Sequence, residues 1–353
     1  MPKQNHRSFR LADLPGSLIA SMMIVWLVFA SGADRARAQT ASKTEIPFRL
    51  TPWTNISVPA VVNERYGVNL MFHTGIDSVS LTPTTIASAP NLKLDKETDS
   101  QSWGGNSRMR SGTIRKLTIG PVLLEGVVVH QSMNSGHETD GKFGIPQLNS
   151  RFVEIDFDSQ KIVTHDTLPA KVESWQRIDL SMQHGLMFIE ARLLADAGTA
   201  KEATERSTKR QAAGEKNKEE NRFTDPLNHK FMIHSGYSGF ALLDDAFVKA
   251  HSSIGKLPIV EESELKDSAG NVIKTQKTSV PTFSVGKFSF EQSPVSFFSG
   301  SIGRQKISVL GQDFLRRFNL LIDLEHKHLY LTKSNAYNDK YFLSPPKKKS
   351  KQE

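Results

Sequence analysis

Apolar residues in this chain fall in short runs with a period of two, broken at close intervals by Gly, Pro or paired polar residues. Val68, Leu70 and Phe72, for example, alternate with Asn69 and Met71, the pattern of a strand that feeds one face into a core. Turn signals separate such runs at Asn63 to Gly67 (NERYG), Gly104-Gly105, Gly120-Pro121, MQHG at 182–185, Ala269-Gly270 and Gly286. Helical heptads are absent, so the pattern predicts a mostly β protein. One short helix is expected where Phe240, Leu242 and Leu243 pass into Phe247 and Val248.

Two stretches break the pattern. Residues 1–38 have a basic start (Lys3, Arg7, Arg10), an apolar run SLIASMMIVWLVFA and a small-x-small ARA before Gln39, which predicts an export signal that is cleaved. The apolar run falls short of the roughly 20 residues a spanning helix needs, and an uncleaved N-terminal anchor is the competing reading. Either places the folded part outside the cytoplasm, in the periplasm, at the outer surface or secreted. Residues 195–222 carry many charges of both signs and almost no large apolar side chain, so a disordered insertion is expected there.

The two halves repeat an order of elements. NLMFHTGIDSVSLTP (Asn69 to Pro83) and HKFMIHSGYSGFALLDDAF (His229 to Phe247) each run from an apolar strand into His-Thr/Ser-Gly and then a second hydrophobic run. GKFGIPQLNSRFVEIDFDSQKIV (Gly141 to Val163) and SVLGQDFLRRFNLLIDLEHKHLYL (Ser308 to Leu331) follow, each with Gly, Leu, an Arg-Phe pair, a strand ending in Asp, a polar turn and a last strand. This is an internal duplication.

The order strand, His-Thr/Ser-Gly, strand, hairpin region, Leu-Gly-x-Asp-x-Leu and final hairpin resembles that of the pepsin and retropepsin superfamily of aspartic proteases. The resemblance covers most of Pro47 to Leu331 and implies an all-β fold of two pseudo-symmetric retropepsin-like β-barrel lobes, residues 43–168 and 174–333, with a cleft between them and a basic tail at 334–353. It also implies that His73 and His234 stand where the family has its catalytic Asp pair. Thr74 and Ser235 would brace the two loops across the lobe interface, Gly75 and Gly236 would serve the tight loop turns, and Asp313 would support the loop. Trp103, Gly104 and Gly105 would belong to the flap over the cleft.

An aspartic protease relies on two carboxylates that share one proton. Two imidazoles lack the negative charge that holds and polarises water between them, although a neutral imidazole can accept a proton. No acid restores the pair: Asp77 lies four residues beyond His73, Asp244 and Asp245 lie further beyond His234, and Asp156 and Asp323 read as turn acids. No cofactor is expected. The alternative is zinc on His73 and His234, with a third ligand from His130, His137 or Glu264.

Cysteine is absent, which rules out disulfide staples and thiolate metal sites. The formal charge of +8 falls to +5 when residues 1–38, with five cations against two acids, are removed. Much of the rest sits in the C-terminal PPKKKSKQE, a solvated end. No basic groove interleaved with aromatics supports nucleic-acid binding. Asn55-Ile56-Ser57 matches a glycosylation acceptor. With both lobes in one chain a monomer is expected, without an integral membrane domain once the presequence is removed. Three functions stay open: an inactive protease homologue binding a peptide or another extended ligand, an active peptidase or metal-assisted hydrolase using His73 and His234, and a structural exported protein.

Overall fold

The computed structural model describes residues 43–89, 92–102, 105–194, 226–299 and 305–343. The presequence, the 195–222 insertion, Trp103 and Gly104 lie outside them. Among the described residues no helix is long and apolar enough to cross a membrane.

The first half contains β1 (Lys43–Pro47), β2 (Arg49–Leu50), β3 (Ile56–Val62), β4 (Tyr66–Phe72), β5 (Val79–Leu81), β6 (Leu94–Ser102), β7 (Gly105–Ile119), β8 (Val122–Gln131), β9 (Gly141–Phe143), β10 (Phe152–Asp156) and β11 (Lys161–His165). The second contains β12 (Gln176–Asp179), β13 (Ser181–Gln183), β14 (Leu186–Leu194), β15 (Leu227–Ile233), β16 (Ala241–Leu242), β17 (Ile259–Lys266), β18 (Val272–Val285), β19 (Phe288–Phe298), β20 (Val309–Leu310), β21 (Phe318–Asp323) and β22 (His328–Lys333).

The predicted all-β architecture is present as two closed barrels. In lobe one the order β3-β4-β9-β5-β8-β7 returns on itself because β7 also pairs with β3; in lobe two β14-β15-β20-β16-β19-β18 closes through β14 and β18. The duplication extends to strand direction. β9 lies parallel to β4 and antiparallel to β5, which is parallel to β8. β20, β15, β16 and β19 repeat these relations. The interiors are filled by the alternating apolar positions, such as Val58, Leu70, Phe72 and Phe143 in lobe one, and Ile189, Phe231, Phe240 and Phe283 in lobe two. Gly120 and Gly286 turn the matching hairpins β7–β8 and β18–β19 at positive φ of 54° and 55°, a conformation that favours glycine.

The last hairpin of each half leaves its barrel. β10 pairs with β21, from Phe152 opposite Asp323 to Ile155 opposite Leu320, and a six-stranded sheet β1-β11-β10-β21-β22-β12 joins the lobes. These strands carry apolar side chains that are buried, among them Val153, Ile155, Leu320, Leu321 and Ile322. Residues 334–343 continue the packing: Tyr337 and Tyr341 lie against the core, and buried Arg317 donates to the carbonyls of Tyr337 and Asp339. The described part of the expected tail is therefore attached to lobe two. Asn55 is 1% exposed and donates from Nδ2 to the Ser235 carbonyl, so its amide is enclosed in the folded chain.

Candidate functional site

His73 and His234 directly follow the last residues of β4 and β15. Each backbone N–H continues the ladder to the neighbouring short strand, His73 to the Phe143 carbonyl and His234 to the Leu310 carbonyl, both at 2.9 Å. The two turns meet across the lobes. The imidazole centroids lie 4.5 Å apart with the rings edge to face at 68°.

Behind the rings, Thr74 and Ser235 make four cross-lobe hydrogen bonds, two of them exchanged with each other. The Thr74 N–H donates to Ser235 Oγ and the Ser235 N–H to Thr74 Oγ1, each at 3.0 Å. Thr74 Oγ1 donates to the Ile233 carbonyl and Ser235 Oγ to the Phe72 carbonyl, each at 2.8 Å. Both hydroxyls thus act as donor and acceptor, so neither is a spare nucleophile.

Gly75 and Gly236 are spatial requirements. A Cβ on Gly236 would sit 2.3 Å from Cδ2 and Nε2 of His73, and one on Gly75 would meet both rings at 3.2 Å. The Gly75 N–H also donates to His73 Nδ1 at 3.1 Å, which assigns Nδ1 as acceptor and leaves the neutral ring proton on Nε2.

Burial pushes both imidazoles toward neutrality. His73 is held well below its ordinary pKa, first by desolvation, then by the charges of His234 and Lys142. Desolvation and Lys142 bring His234 down to about 4, against a smaller opposing backbone hydrogen bond. At neutral pH the pair carries no charge.

Asp313 is fully buried but faces away from this pair, bridged to Arg316 at 2.8 Å and Arg317 at 3.4 Å. It also accepts the Phe342 N–H and so anchors the C-terminal segment. On the lobe-one side Gln147 supports the loop, accepting the Gly144 N–H and donating to the Asp77 carbonyl. Asp77 is exposed. Asp244 caps the helix Asp245–Ala250 through the Phe247 N–H, and Asp156 and Asp323 accept N–H groups in their turns. Gly105, φ 120°, opens the returning strand of the β6–β7 hairpin and lines the cleft.

The cleft above the rings is a cavity of about 1090 Å³. His130 lines it, while His137 stacks on Trp53 with centroids 3.8 Å apart and Glu264 is exposed on β17. Among the described residues no three His, Asp or Glu side chains are gathered to hold a metal ion.

Lys142 is the residue that pattern reading overlooks. It is 8% exposed, lines the same cavity, and its charge acts on both imidazoles. Superposing GKFG on the VLG segment of lobe two would have found it, because Lys142 falls on Val309.

A scan against protein-family models finds no match to this chain, and a search of curated proteins finds none either. The two barrel lobes and the shared sheet are compatible with a pepsin-like two-lobed fold.

Proposed function

We propose that this chain is a two-lobed relative of the retropepsin-like proteases that binds a peptide or another extended ligand in its cleft without hydrolysing it. The observation that carries the reading is the pair of neutral, buried imidazoles 4.5 Å apart at the floor of an open cleft. Proton sharing between carboxylates needs an anionic pair, and these rings supply none. The cleft, the brace behind it and the turn glycines remain, which supports ligand binding rather than a purely structural part.

One observation favours a second reading. A neutral imidazole can act as general base, and His73 has a defined tautomer. A peptide-library cleavage assay from pH 3 to 8, with added zinc and with a chelator, separates the two. The expected outcome is binding without turnover under all conditions. Cleavage lost in both His73→Ala and His234→Ala would overturn the non-hydrolytic reading, and chelator sensitivity would then select a metal route. In His73→Asp/His234→Asp, acid-optimum cleavage is the expected gain.

A further inference from the structure

Strand register places four side chains in one row across lobe one. Met71 on β4 is opposite Lys142 on β9, Lys142 is opposite Ser80 on β5, and Ser80 is opposite His130 on β8. Directly paired residues project from the same sheet face, and all four line the cleft. The matching row in lobe two reads Met232, Val309, Leu242 and Ser296. There, Met232, Val309 and Leu242 form a packed apolar cluster with Phe188 and Tyr237. The duplication has therefore kept the strands and exchanged an apolar floor for a polar one on one side of the cleft only.

The polar row is unsatisfied. Ser80 Oγ and His130 Nδ1 are buried without a hydrogen-bond partner, and Ser80 is only 7% exposed. Among the described residues the Lys142 ammonium makes no hydrogen bond or ion pair, its backbone alone being held in the β9 ladder. The carboxylate that acts on it, Asp267, is already bonded by the N–H groups of Ala269 and Asn271 and by the Asn271 amide. A buried cation and a buried hydroxyl with no partner are costly to the fold. Such groups point to a ligand that completes them.

We propose that Lys142, Ser80 and His130 form a carboxylate subsite, so that the cleft selects acidic peptides and seats one carboxylate on this row. The proposal rests on the extended-ligand reading above. An ammonium and a hydroxyl are donors for an acceptor-only group, and the His130 ring can add a third N–H. With His73 and His234 neutral, the Lys142 ammonium supplies the formal charge beside them that a singly charged carboxylate matches. Among the other charged residues that line the cavity, Arg108, Arg110, Lys266 and Lys306 outnumber Glu97 and Asp267, which draws acidic ligands toward the cleft.

Fluorescence polarisation with three labelled peptides tests this: one neutral and capped at both ends, the same peptide with a central Glu, and the same with a free C-terminal carboxylate. The wild-type chain is expected to bind an acidic peptide at least ~10-fold more tightly than the neutral one. Whichever acidic peptide is preferred identifies a side-chain or a terminal carboxylate. Lys142→Met and Ser80→Ala should erase the preference, and Lys142→Arg should keep part of it. Without peptide, Lys142→Met is expected to melt at a higher temperature than wild type, because it removes an unpaired buried charge. Equal binding of neutral and acidic peptides by wild type would overturn the subsite and leave the extended-ligand reading standing. No binding of any peptide would sink both. A lower melting temperature in Lys142→Met with the preference intact would make the lysine a structural residue instead.

Discussion

His73 and His234 resist protonation in the folded chain but would take protons at their ordinary pKa of about 6.5 once unfolded. Below that pH the unfolded state binds more protons, so stability is full above about 6.5 and declines as pH falls toward about 4. For His234 alone the drop from 6.5 to about 4, at ~1.4 kcal/mol per pH unit, corresponds to roughly 3–4 kcal/mol. Urea midpoints measured from pH 7 to 4 should fall steeply in wild type and more gently in His73→Asn/His234→Asn. Parallel curves would show that the imidazoles are not the groups responsible. A second expectation concerns Gly236, whose added Cβ would strike His73 at 2.3 Å. Gly236→Ala should cost ~1–3 kcal/mol, whereas Gly67→Ala, where nothing lies within 4 Å, should be near neutral in the same thermal melt. His73 and His234 were legible because each is followed by a hydroxyl residue and a glycine after an apolar strand. Lys142 was not, because a single lysine inside GKF gives no periodic signal of its burial.

Strands and turns are legible in the sequence wherever a turn residue is chemically demanding, as at NERYG, Gly120, His184-Gly185 and Gly286. The joining of the lobes was less visible. β10 and β21 are apolar runs that would equally well close their own barrels, and their partnership spans more than 160 residues of chain. The reciprocal bonding of Thr74 and Ser235 likewise depends on two segments meeting at one register. Ser235→Ala would strand the Thr74 N–H and the Phe72 carbonyl in a buried site, at an expected ~2–4 kcal/mol. Ser235→Thr should recover most of it. Calorimetry on the three proteins checks this order, and an unchanged melting temperature in Ser235→Ala would show that the brace contributes nothing.

At the scale of the whole molecule the shared sheet makes the lobes thermodynamic partners. Leu320 is fully buried in β21 beside the lobe-one strand, so Leu320→Ala is expected to cost ~2–5 kcal/mol and to lower one cooperative transition. Two resolved transitions would mean that the lobes unfold independently. The four bonds of the brace contain no group that titrates in the ordinary pH range, and none of them involves an imidazole. The spacing of the loops is thereby decoupled from the identity and charge of residues 73 and 234. The chain is a chassis in which the two central side chains can be exchanged while their separation stays fixed by hydroxyls and backbone. Such an arrangement lets a lineage lose one chemistry at the floor of a cleft and acquire another without first rebuilding the fold.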